Sequence, residues 1–62
     1  MDIYEKIKKR REELGMSQEE LAEEMGYKSK TSIHKIEQKM TDLPLSRVVE
    51  FAKVLKVSSD YL

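Results

Sequence analysis

Apolar residues recur along this chain at helical intervals and nowhere alternate with period two, so the expected fold is all-α. Ile3, Ile7 and Leu14 share one helical stripe, with the basic run Lys8-Lys9-Arg10-Arg11 turning through it. Gly15 follows directly, where a helix C-terminus favours a residue able to take positive φ. Ser17-Gln18-Glu19-Glu20 reads as a capping box: the Ser17 hydroxyl accepts from the amide three residues on, and Glu20 reaches back. Leu21, Ala22 and Met25 supply the apolar face of that second helix, which Gly26 ends.

A third helix is expected from Ser29 or Lys30 to Lys39, with Ile33, Ile36 and Met40 inward. Asp42-Leu43-Pro44 forms a loop, because the residue before proline is pushed out of the helical region. Leu45, Val48, Val49, Ala52 and Leu55 then trace the clearest amphipathic helix in the chain. Ser58 is placed to cap a last short turn ending in Tyr61 and Leu62.

Composition narrows the functional classes. The 62 residues include no Cys and one His, which excludes disulfides, thiol nucleophiles and a structural zinc site. No metal or cofactor is expected. No apolar run approaches the ~20 residues of a membrane span, and Met1 to Leu14 is too charged for a signal peptide. A soluble, cytoplasmic protein is the expectation. Without a carboxylate pair in an evident pocket or a glycine-rich loop, an enzyme is the weakest reading.

Charge needs local reading. Lys and Arg number 12, as do Asp and Glu, so the total is zero and argues mildly against nucleic acid. Yet Lys28, Lys30, Lys35 and Lys39 outweigh Glu37 to leave residues 28–40 at +3, while Glu19, Glu20, Glu23 and Glu24 put residues 17–26 at −4. Residues 1–16 carry +1 and residues 41–62 carry none. At ordinary salt, screening over ~8–10 Å lets such local patches matter more than the total. On a ~100° wheel starting at Lys30, the residues Ile33, Ile36, Glu37 and Met40 fall at roughly 240–340°. Lys30, Thr31, His34, Lys35 and Gln38 fall at roughly 0–140°, an outward face of donors and amphoteric groups suited to base edges and phosphates.

Two short helices joined by a tight turn can form a helix-turn-helix, whose second helix docks in the DNA major groove. The run from Leu14 to Ala22 (Leu-Gly-Met-Ser-Gln-Glu-Glu-Leu-Ala) resembles the start of the xenobiotic-response-element type helix-turn-helix, the lambda-repressor-like and Cro-like domains of phages and bacteria. Ser32-Ile33-His34-Lys35-Ile36-Glu37 resembles its recognition helix, and Phe51 to Leu62 resembles its fourth and fifth helices. The resemblance covers residues 3–62 and implies a single five-helix DNA-binding domain over 1–62, either whole or the first part of a longer regulator. It further implies operator binding, usually as a homodimer on an inverted repeat.

By the same resemblance, Gln18 stands at the phosphate-contacting start of helix two, and Lys30, Thr31 and Lys35 at base-reading positions. Arg11 and Glu37 match a structural pair between helices one and three. The expected DNA-binding set is therefore Ser17, Gln18, Lys28, Ser29, Lys30, Thr31, His34, Lys35, Gln38 and Lys39. The turn Gly26-Tyr27-Lys28-Ser29 is one residue longer than in the shortest family members, so the leading contact falls to Ser29 or Lys30. Gln38-Lys39-Met40 stands where the family often places a glycine. The alternative function is a protein-interaction module on the same scaffold, antirepressor- or antitoxin-like, presenting acidic helix two.

Overall fold

Four α-helices and one 3-10 turn account for the regular structure in a computed structural model that describes all 62 residues: α1 (Ile3–Glu13), α2 (Gln18–Met25), α3 (Lys30–Glu37), α4 (Leu45–Val54) and the turn Ser59–Tyr61. No strand is present, in agreement with the period read from the chain. The expected fifth helix is a correction. After Ser58 the chain makes a single 3-10 turn, closed by the Tyr61 N–H donating to the Ser58 carbonyl at 3.0 Å, and Leu62 then ends it.

The helix starts follow from local chemistry. Ser17 and Glu20 form the expected box, Ser17 Oγ accepting from the Glu20 N–H at 3.0 Å and Glu20 Oε1 from the Ser17 N–H at 2.9 Å. An equivalent box opens α1, one that the apolar spacing does not announce: Asp2 Oδ1 accepts from the Glu5 N–H at 2.9 Å while Glu5 Oε1 accepts from the Asp2 N–H at 3.2 Å.

All four helices end in the same way. In each, one residue at positive φ lets two amides fold back onto carbonyls of the last turn, the Schellman arrangement. The pivots are Gly15 (φ 71°), Gly26 (φ 78°), Lys39 (φ 60°) and Lys56 (φ 60°). The 6→1 bonds run from Met16 to Arg11, Tyr27 to Ala22, Met40 to Lys35 and Val57 to Ala52, all 2.9–3.0 Å. So α3 ends at Glu37, two residues before the expected Lys39, without the family's glycine. Met40, past the pivot, leaves the helical phase and is exposed (67%) rather than inward.

The core is built from all four helices: Ile7 of α1, Leu21, Ala22 and Met25 of α2, Ile33 and Ile36 of α3, Phe51 of α4 and Leu55 at its C-cap. Leu45, expected inward, is 78% exposed, and Val49 is 39% exposed. On a ~100° wheel starting at Leu45, these two sit near 0° and 40°, whereas Phe51, Leu55, Val48 and Ala52 occupy about 240–340°. The buried arc takes in Phe51, fully buried, which the apolar spacing alone passes over. No helix is long and apolar enough to cross a membrane.

Candidate nucleic-acid interface

The Gly26 pivot and the three residues Tyr27-Lys28-Ser29 turn the chain from α2 into α3, and these two helices pack on each other more extensively than any other pair. Ile33 and Ile36 hold α3 down on its buried side. That leaves Lys30, Thr31, His34, Lys35 and Gln38 exposed, as the wheel predicts, with Lys28 and Ser29 exposed just before them. Ser29 takes the extended N-cap conformation, but its hydroxyl makes no capping bond. The first amides of α3 have no intrahelical partner, so this end presents a partial positive charge beside Lys28 and Lys30. The acidic residues Glu19, Glu20, Glu23 and Glu24 are all exposed on α2, and Glu19 and Glu23 adjoin the basic start of α3.

Beneath this surface lies a buried ion pair. Arg11 Nε donates to Glu37 Oε2 at 2.7 Å and its Nη2 donates to Oε1 at 3.2 Å, a two-pronged contact between α1 and α3. The third guanidinium nitrogen, Nη1, donates to the Met16 carbonyl at 2.7 Å. The Glu37 side chain is 1% exposed and that of Arg11 10%, so the pair is out of water, as the inward position of Glu37 requires. Gln18 joins them: its Nε2 donates to Glu37 Oε1 at 3.0 Å. This bond sets the start of α2 beside the C-terminal end of α3. Ser17, next to it, uses its Oγ lone pair for the cap and keeps its hydroxyl hydrogen for another acceptor.

Lys39 is placed differently from the rest of the expected set. Its Nζ lies 2.6 Å from Asp2 Oδ2 and 3.9 Å from Glu5 Oε1, so it ties the end of α3 to the start of α1. The Lys39 ammonium, with the Glu5 amide, holds the Asp2 carboxyl below its ordinary value of 3.8. In return the hydrogen bond to Asp2 raises Lys39 above its ordinary 10.5.

The structure adds neighbours that spacing does not reveal. Ser32, Lys35 and Ile36 of α3 share a cleft of about 210 Å³ with Tyr27, Arg47 and the loop Thr41–Pro44. The Arg47 guanidinium lies 4.7 Å over the Tyr27 ring and contacts Glu50 at 3.3 Å. Tyr27 in turn packs against Phe51, ring centroids 6.4 Å apart, so it lids the turn. The only sequence signal for Arg47 is its i, i+3 spacing from Glu50. A second cleft of about 320 Å³ runs along Glu19 and Glu23 to Lys28, Ser29 and Lys30. No group of three His, Cys, Asp or Glu side chains is placed to hold a metal ion.

A family model described as helix-turn-helix matches residues 7–62, nearly the whole chain. No curated protein and no solved structure shows significant similarity.

Proposed function

We propose that this chain, which belongs to the helix-turn-helix family of lambda-repressor-like and Cro-like type and is thereby a DNA-binding regulator, is a sequence-specific repressor that occupies an inverted-repeat operator as a homodimer. The observation that carries the reading is the solvent face of α3, where Lys30, Thr31, His34, Lys35 and Gln38 stand exposed with no acidic residue among them. Such a face offers donors to guanine O6 and N7 and to phosphates. Lys28 and Ser29 at the start of α3, with Ser17 and Gln18 at the start of α2, set the register on the backbone. Lys39, half-exposed and paired at the surface with Asp2, completes this contact set at the end of α3. One eight-residue helix reads few base pairs, so useful affinity requires two copies on half-sites one turn, ~34 Å, apart.

Selection from a randomised duplex library at moderate salt tests this, with enrichment of an inverted repeat as the expected result. Lys30→Ala and Lys35→Ala should each abolish that selectivity while leaving the fold intact. Each should also flatten the log–log salt dependence of binding by about 0.9 for every phosphate that the lysine neutralises. The exposed acidic face of α2 favours the second reading, a protein-interaction module. Absence of both enrichment and salt-dependent DNA binding would select it.

A further inference from the structure

The start of α2 carries a hydrogen bond beyond those that satisfy the Glu37 carboxylate. Arg11 alone supplies a donor to each Glu37 oxygen, at 2.7 and 3.2 Å, and no buried polar side-chain atom lacks a partner. The bond from Gln18 Nε2 to Glu37 Oε1 at 3.0 Å is therefore a third, additional hydrogen bond on that carboxylate. For Gln18 the consequence is larger, since this is its one side-chain hydrogen bond within the protein. A carboxylate only accepts, so it selects which end of the amide faces it: nitrogen inward. One N–H of the amide is then used and the second is left for another acceptor, while the Gln18 backbone N–H, in the first turn of α2, has no intrahelical partner.

We infer that Glu37 is a positioning residue for DNA binding: through this bond it fixes the Gln18 amide so that its second N–H and the first amides of α2 converge on one backbone phosphate. The inference rests on the DNA-binding reading of α2 and α3 given above. The negative charge of Glu37 does not oppose the phosphate, because Arg11 neutralises it in a pair that is almost wholly buried. The two-pronged pair thus makes a carboxylate usable as an internal acceptor directly behind an anion-binding group. Holding the amide in place also removes the rotamer freedom that a glutamine otherwise gives up on binding.

The test is a double-mutant cycle read by titration of a mixed-sequence DNA duplex of about 20 base pairs at low salt, where phosphate contacts dominate. Because removing one member of a buried pair leaves an uncompensated charge, Glu37 is replaced together with its partner, as Arg11→Met with Glu37→Met. In the wild-type chain Gln18→Ala should weaken binding roughly 3–10-fold, the worth of one hydrogen bond. In the doubly substituted background, where nothing orients the amide, it should weaken binding less than about twofold. An equal loss in both backgrounds would overturn the inference, as would no loss in the wild type.

Should the paired variant fail to fold, the wild-type protein answers by side-chain amide relaxation of Gln18. An order parameter near the rigid limit of about 0.85 supports the inference, and one below about 0.6 overturns it. Failure of the wild type to bind the duplex at all would overturn the DNA-binding reading and this inference with it. Binding that is indifferent to Gln18 would overturn the inference alone.

Discussion

Lys39 and Lys56 occupy backbone conformations that glycine occupies at the other two helix ends, with φ of 60° in both. A side chain in this region costs ~1–2 kcal/mol, while glycine adds ~0.4–1 kcal/mol of unfolded-chain entropy. Lys56→Gly should therefore stabilise the protein by up to about 1 kcal/mol, raising the thermal midpoint by several degrees. Lys39→Gly should raise it less or lower it, because the same substitution removes the 2.6 Å bridge to Asp2. Thermal denaturation of the two variants side by side checks this ordering; equal increases would show that the bridge is inert. The Asp2 carboxyl offers a second check at this scale. Its folded-state value is depressed, so its stabilisation is present above pH 3.8 and lost as pH falls through the lowered value. The Lys39 ammonium, raised, contributes below pH 10.5 and ceases to as pH rises through its own value. In Lys39→Ala, an NMR titration should find Asp2 back toward 3.8.

At the scale of elements, α4 separates apolar from buried. Leu45 and Val49 continue the apolar spacing of Val48, Ala52 and Leu55, yet they stand at the solvent edge while Phe51 fills the centre. Leu45→Ser should accordingly leave stability within about 0.5 kcal/mol, as for surface positions generally. Phe51→Ala removes a fully buried ring and should cost ~3–5 kcal/mol, as much as a core of this size supplies. Urea denaturation followed by circular dichroism should find the first variant at the wild-type midpoint and the second largely unfolded. A marked destabilisation by Leu45→Ser would mean that this face is covered in solution.

For the whole molecule, the pairing of Arg11 with Glu37 is decisive because it joins α1, α3 and, through Gln18, α2. Arg11→Ala strands a carboxylate that is 1% exposed, a change that costs ~3–5 kcal/mol and rivals the total stability of a domain this small. The variant should lose far more stability than DNA affinity per folded molecule; an unchanged denaturation midpoint would remove the pair from the structural account. Charge is organised on the same scale: acidic α2 and basic α3 are adjacent elements of opposite sign, so a total of zero coexists with a cationic face.

Much of this protein is determined locally, and that part is legible in the chain. The four helices, the Ser17 cap, the glycine stops and the outward set on α3 depend on neighbours within four residues, and periodicity reports such neighbours faithfully. The inward position of Glu37 is legible for the same reason. What packing decides is not. The wheel of α4 could be turned by some tens of degrees without violating its apolar pattern, and only packing against the other three helices selects Phe51 over Leu45. No spacing rule brings Lys39 to Asp2, or Gln18 to Glu37, because those partners are 37 and 19 residues apart and meet only after the helices pack. Hydrophobic period sets which face of a helix turns inward; tertiary packing sets its exact rotation and the company its polar groups keep, because both depend on atoms that the local chain does not contain.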